Sequence, residues 1–499
     1  MRRRIIFYSV LALWAVMLGL LLRRVVVAPA PSSVAAAPPL VTAEAGAVWM
    51  GIYMNGNKIG YAHHEWAPDA DGFTFLESSL LRLAVLGTPQ TIRISVRGRA
   101  DRAWALREAE FAVSGGPTTL RAEAVVAGST LRLAVQTGAE RSEDVVPLKE
   151  PLFLPVTLRS AVWGETVRAG QEVEAAVFDP TSLKYERVRL RVETRDRVPG
   201  RPDQADGWRV RETFRGVESV VWLDDRGSVL REEGPLGLVM VRETPADAVA
   251  AGWPSAAAAL DVVTTAAVPV NTVIERPREL QALRLRVRGI AADQVPADAE
   301  QTWSGDVLQI VRPDVERLGS YAVPYPADGE HAAELAATRF VPSGHARLQG
   351  LVHEILGGEA DARVVVRRLN QWVHGYLRKA PTLSIPSALQ VLDAGEGDCN
   401  EHATLFAALS RTAGVPTRLV AGAVYQEGAF YYHAWCEVWL DRWVSVDPTF
   451  GQFPSDATHL KLVQGGPEQY VDLMRVIGRL ELTVLPEQAA ADARRGSHR

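Results

Sequence analysis

Three short islands near the end of this 499-residue chain supply a thiol, an imidazole and a carboxylate in that order. They read Gly-Asp-Cys-Asn-Glu-His-Ala at 397–403, His-Ala-Trp at 433–435 and Val-Asp-Pro-Thr at 446–449. Cys399, His433 and Asp447 are the residue types that nucleophilic acyl transfer requires, because a thiol needs a base to take its proton and the base needs a third group to orient it. Cys399 is one of only two cysteines in the chain, so few thiols compete for the role. Each residue has a bland reading on its own: inert core cysteine, surface histidine, turn aspartate. The ordered trio favours the chemical reading.

The elements that must position these groups can be read locally. Asp398 can cap a helix and Glu401, three residues on, completes a capping box. The helix then runs through Ala403, Leu405, Phe406 and Leu409 to a stop at Gly414, with Pro416 beyond. Cys399 falls at the first helical position, where the helix dipole favours a thiolate and the cysteine's own N–H can face an oxyanion. The run 429–440, rich in aromatic and β-branched residues, predicts a strand. Alternation places His433, Trp435 and Glu437 on one face and Ala434, Cys436 and Val438 on the other. A turn at Asp441 and Arg442 leads into a second strand, 443–447, closed by Pro448, so that Asp447 can meet His433 across a hairpin. The same alternation turns Cys436 away from the site, which argues against a disulfide with Cys399. His402 is read as packing near the nucleophile, and the other histidines show no usable arrangement. No second Cys-x-x-Cys or His-x-x-x-His element completes a metal site, so neither metal nor cofactor is expected.

The residues around the islands, Gly-Asp-Cys-Asn-Glu-His-Ala-Thr-Leu-Phe-Ala-Ala-Leu-Ser-Arg-Thr-Ala-Gly-Val-Pro-Thr-Arg, then His-Ala-Trp-Cys-Glu-Val-Trp, then Trp-Val-Ser-Val-Asp-Pro-Thr, make a resemblance specific. The chain resembles the bacterial transglutaminase-like superfamily, cysteine enzymes on a papain-like core, over roughly its last third. The resemblance implies Cys399, His433 and Asp447 as the catalytic residues, a Cys thioester, and a protein or peptide substrate attacked at an amide or peptide bond. Hydrolysis and transamidation both stay open. The family also includes peptidases, deglycosylating amidases and inactive members, so a non-catalytic binding or assembly protein remains the alternative. Calcium assists some relatives, yet no acidic loop here is dense enough to require it. Trp372 and Tyr376 are upstream candidates for a second oxyanion donor, with packing as their preferred role.

At the other end, the apolar run that starts at Ile5 and ends at Leu22 is 18 residues long, about 27 Å as a helix and close to the hydrocarbon core of a bilayer. Arginines flank it on both sides, which favours an uncleaved anchor over a cleaved signal peptide. The expectation is a single-pass protein of the cytoplasmic membrane with its bulk on the periplasmic side. The fold class expected is multidomain: an N-terminal transmembrane helix (1–24), an Ala/Pro-rich linker (25–44), an antiparallel β-sheet domain (45–245) and a linking helix with a small β module (246–335). A C-terminal α+β papain-like domain (336–485) and a loose tail (486–499) complete it. The net charge of -5, with acids and bases interspersed, leaves no footprint for nucleic acid. The sequence fixes neither an oligomeric state nor a natural substrate.

Overall fold

A computed structural model of the chain describes residues 44–486, except 116–117, 138–139, 164–166, 180–183, 201–204, 251–259, 327 and 382–385, together with the two-residue strand Ser32–Ser33. The apolar run 5–22 lies outside the described residues, as does the tail beyond 486.

Among the described residues no helix is long and apolar enough to cross a membrane. The longest of them, Ala362–Tyr376, has 15 residues, about 22 Å against a hydrocarbon core of about 30 Å, and carries Arg363, Arg367 and Arg368. The expected fold class is therefore corrected from a membrane-anchored assembly to a mainly β chain, 48% strand with few helices. The single-pass membrane location is withdrawn with it.

The N-terminal half is one antiparallel meander. Strands from Gly46–Met54 through Asn57–Asp69, Gly72–Val85 and Thr88–Asp101 to Glu140–Pro147 pair in sequence. The helix Pro155–Val162 follows, then a second run from Glu172–Asp179 to Leu238–Glu243. Its last strand closes back on the first, Leu238 opposite Met54, so both runs form a single continuous sheet. Tight turns set the register: Asn55 (φ 50°) and Gly56 (φ 79°) take the paired left-handed conformation that suits a two-residue hairpin. The sheet curls on itself, since Phe73, Phe75, Phe111 and Leu133 of the first run share a core with Val177, Phe178, Leu190 and Val221 of the second.

The C-terminal half places four helices, Ala346–Leu356, Ala362–Tyr376, Ala388–Ala394 and Cys399–Thr412, beside a sheet of Ala429–Trp439, Thr417–Gln426 and His459–Gln464, with Trp443–Val446 on the other edge of Ala429–Trp439. A continuous apolar run makes Cys399–Thr412 a core helix buried all round: Leu405, Phe406, Ala407, Ala408 and Leu409 are fully buried, and they pack with Ala434, Cys436 and Val438. A smaller sheet, Gln301–Ser304, Val307–Val311 and Ala282–Arg288, takes its fourth strand from Glu481–Val484 near the end of the described chain. It packs against the larger sheet, with Leu285 and Leu308 sharing a core with Ala423, Phe430 and Leu460. The curled sheet touches this half through Gln90 on the Pro381 carbonyl and the Arg215–Asp472 ion pair.

Candidate active site

Asp398 caps the cysteine helix as its sequence requires. Its carboxylate accepts the Asn400 N–H at 2.9 Å, and its own N–H donates to Glu401 at 2.9 Å, closing the capping box. Glycine is needed just before the cap, because a Cβ at position 397 would run into the Glu401 side chain. Cys399 thus starts the helix, partly buried and unpaired with the buried Cys436. The Cys436 thiol points to the other side of its strand and donates to the Ala403 carbonyl at 3.2 Å. The Cys399 sulfur faces the backbone N–H of Ala434, the residue after His433. Burial pushes its thiol well above the ordinary value and Asp398 adds to this, while the Ala434 N–H works the other way. The resting sulfur is therefore a neutral thiol whose proton leaves only when a nearby base can take it.

The candidate base, His433, is the residue before that Ala434 in the chain. His433 Nε2 lies 2.8 Å from Asp447 Oδ2, with both side chains buried. Oδ1 of the same carboxylate accepts the N–H groups of Thr449 (2.7 Å) and Phe450 (3.0 Å), an Asx turn built by the Asp-Pro-Thr sequence. Burial alone would raise the Asp447 carboxyl, but His433 and His459 hold it far below the usual range. An ionised Asp447 only accepts, so His433 carries its proton on Nε2 and leaves Nδ1 with the lone pair. The Phe450 ring stacks on His433 at 5.0 Å and 17°. Its surroundings include the Arg278 guanidinium 4.1 Å from the ring centre. A cavity of about 420 Å³ opens beside Phe450, lined by Val273, Ile274, Pro277, Arg278 and Tyr425 among others.

A second histidine, which local spacing did not single out, reaches the same carboxylate. His459 Nε2 is 3.0 Å from Asp447 Oδ2, and His459 Nδ1 faces the Asp456 carbonyl at 3.1 Å and its Oδ1 at 3.3 Å. Every one of these partners is an acceptor, so both ring nitrogens carry protons and His459 is an imidazolium. Burial works against that charge, yet the bonds to Asp447 and Asp456 outweigh it and raise His459 to about 9. Asp456 Oδ2 in turn takes Arg278 at 3.0 Å. The signal available in the sequence was slight: Asp456 three residues ahead of His459, opening the strand His459–Gln464.

His433, Asp447 and His459 hold their ligand-type atoms within 4.8 Å of one another. Two imidazole nitrogens at 2.8 and 3.0 Å from one oxygen have hydrogen-bond spacing, closer than the roughly 3.3 Å that separates neighbouring donors on a tetrahedral zinc ion with bonds of about 2.0–2.1 Å. The cluster reads as a proton-bearing chain.

A stability profile follows from the His459 environment. Its folded value of about 9 exceeds the ordinary 6.5, so its contribution is whole below about pH 6.5 and lost as pH rises through about 9. We expect the urea midpoint of the full chain to fall across that window by the equivalent of about 3 kcal/mol, and to fall less in His459→Gln. A wild-type midpoint that is flat from pH 6.5 to 9.5 would contradict the buried imidazolium.

The other sequence candidates are occupied elsewhere. His402 Nδ1 lies 2.6 Å from the Asp398 carbonyl inside its own helix. Trp372 and Tyr376 stack on each other at 4.5 Å, and the Tyr376 hydroxyl donates to Leu392 O at 2.7 Å. His374, also not anticipated, holds the far side of the Asp447 turn through the carbonyls of Pro448 and Thr449.

Comparison with known proteins agrees with the C-terminal geometry. Residues 349–448 match the transglutaminase-like superfamily. A protein-glutamine gamma-glutamyltransferase of Pseudomonas aeruginosa is 32% identical over 130 residues, a match that covers 22% of this chain and 19% of that protein. The chain thus spans about a fifth of that relative's length. A structure assigned as a cysteine protease from Cytophaga hutchinsonii aligns with a TM-score of 0.29 at 16% identity, over 41% of this chain and 81% of that one. A β-barrel-like protein of a domain family of unknown function from Brucella abortus aligns with a TM-score of 0.32 at 12% identity, over 41% of this chain and 98% of its own. The superfamily match ends at residue 448, so His459 and Asp456 lie beyond it.

Proposed function

We propose that the transglutaminase-like part of this chain is a cysteine enzyme that attacks the carboxamide or peptide carbonyl of a protein or peptide substrate through Cys399. The observation that carries this reading is the His433–Asp447 bond, 2.8 Å long and buried, on the strand whose Ala434 N–H faces the Cys399 sulfur. As sulfur attacks the carbonyl carbon, His433 Nδ1 takes the thiol proton and Asp447 stabilises the imidazolium that forms. Collapse of the tetrahedral intermediate breaks the C–N bond, and the same proton passes from Nδ1 to the departing ammonia or amine. A thioester remains on Cys399. Water then attacks it for hydrolysis, or a primary amine for transamidation; either nucleophile gives its proton to Nδ1, and the thiolate leaves and is reprotonated. The match to a protein-glutamine gamma-glutamyltransferase supports a glutamine carboxamide as donor and a primary amine as acceptor, with hydrolysis as the competing outcome.

The test is the rate of Cys399 alkylation by iodoacetamide against pH in the Cys436→Ser protein, with and without His433→Ala. We expect rapid labelling at neutral pH, well below the free-thiol value of about 8.5, and its loss in His433→Ala. Labelling that follows an ordinary thiol in both proteins, or no labelling, would replace this reading with a non-catalytic binding module. A screen of glutaminyl peptides with a fluorescent primary amine then separates transamidation from hydrolysis.

A further inference from the structure

Three features outside the Cys-His-Asp trio draw notice: the cavity beside Phe450, the carboxylates around Lys461, and the chain that runs from Asp447 through His459 and Asp456 to Arg278. The last is the one whose geometry constrains chemistry. Asp447 Oδ2 receives two N–H groups from opposite sides, His433 at 2.8 Å and His459 at 3.0 Å, and Oδ1 receives two backbone N–H groups. All its strong acceptor positions are filled, so the carboxylate cannot rotate without breaking four bonds.

We infer that His459 is a positioning residue for the Cys399–His433 pair: a buried imidazolium that locks the Asp447 carboxylate and, by sharing the oxygen His433 donates to, tempers the basicity of His433. The inference rests on the catalytic reading of Cys399 and His433 given above. It goes further, because an undivided carboxylate would pull harder on the His433 proton. A half-shared one still fixes the Nε2–H tautomer but pulls less strongly on that proton. The groups facing His459 are Asp447 and Asp456 as hydrogen-bond acceptors, His433 across the shared oxygen, and the Trp435 ring at 5.2 Å edge to face. Arg278 balances Asp456 from the outside and receives a second anchor from the Tyr425 carbonyl at 2.8 Å. Charge therefore alternates from the site outward: Asp447, His459, Asp456, Arg278. The same Arg278 lies over the Phe450 ring, which stacks on His433 and meets His459 edge to face at 6.3 Å, so the chain bends back toward His433.

The experiment is the pH dependence of Cys399 alkylation in the full chain, all in a Cys436→Ser background, comparing otherwise unchanged protein, His433→Ala and His459→Gln. Glutamine can keep one donor toward Asp447 but not the charge. We expect His459→Gln to move the acid limb of the profile upward by about one pH unit, while the rate above that limb stays within about threefold. A uniform drop at every pH with the limb unmoved would mean that His459 merely supports the fold, and would overturn the inference. Loss of any difference between the parent and His433→Ala would instead sink the catalytic reading itself, so the two failures are told apart. Should His459→Gln not fold, His459→Asn serves as a second uncharged variant read by the same acid limb: an upward move supports the inference and an unmoved limb overturns it.

Discussion

Cys399→Ala and His433→Ala are each expected to lower acyl transfer by about 10⁴-fold or more, and the double variant by no further factor, because groups that act as one unit are lost together. On the proposed reading the base has no function without the thiol, and the partly buried thiol, pushed up by desolvation, gives its proton to His433. Asp447→Asn should approach the same loss for a different reason. Asp447 accepts four hydrogen bonds, two from imidazoles and two from backbone N–H groups. An asparagine must turn its NH₂ toward one of those pairs of donors. If it faces the imidazoles, His433 has to shift its proton to Nδ1, where the base should be empty; the corresponding change in serine enzymes lowers turnover by about 10⁴-fold. The measurement is single-turnover release of ammonia or amine from the best substrate of the screen, with each variant checked for a cooperative melt. Losses that multiply in the double variant would show that Cys399 and His433 do not work as one unit.

The parts of this site that were legible in the sequence were those set by local rules. A capping box needs only residues 398 and 401, alternation along 429–439 needs only the period of a strand, and an Asp-Pro-Thr turn is closed by its own backbone. Each places one group with an element shorter than fifteen residues, and the hairpin from His433 to Asp447 then joins two of them. His459 was not legible because its strand, His459–Gln464, pairs with Thr417–Gln426 and not with the histidine strand, across a register shift between Ala421 and Gly422. Nothing near position 459 reveals that long-range neighbour. Asp456 and Arg278 were hidden in the same way, the latter lying 178 positions from Asp456 in the sequence. Curling of the N-terminal sheet is likewise invisible to alternation, which tells which face of a strand is apolar but not which distant strand will cover it. The expectation of a membrane anchor came from one apolar run read by length and hydropathy. It falls outside the described residues, and no helix among the described residues is long and apolar enough to cross a membrane.

Lys461→Ala is expected to destabilise the C-terminal half by about 3–5 kcal/mol, the range seen when one member of a buried ion cluster is removed. Lys461 is almost wholly buried and its ammonium lies 2.5 Å from Asp298, 2.7 Å from Glu437 and 3.7 Å from Glu300. Burial alone would lower its pKa, but Glu437, Glu300 and Asp298 outweigh it and keep the lysine charged. Arg418 and Gln464 also serve Glu437, and Ser445 serves Glu300 through both its N–H and its hydroxyl. Without the lysine, Glu437 keeps Arg418, but Glu300 is left with neutral donors alone in a buried site, and burial already raises its pKa. The loss should therefore shrink at lower pH, where Glu300 can take up a proton. Urea midpoints at pH 7.5 and pH 5.5 measure both parts, and a loss below about 1 kcal/mol at pH 7.5 would show that the cluster is dispensable. Activity should fall with stability, for a reason written into one strand. His459 and Lys461 sit two residues apart and so on one face of His459–Gln464: the lysine ties that face to the 298–300 loop of the small sheet, and the histidine ties it to Asp447. Loosening the first tie frees the strand that presents the second.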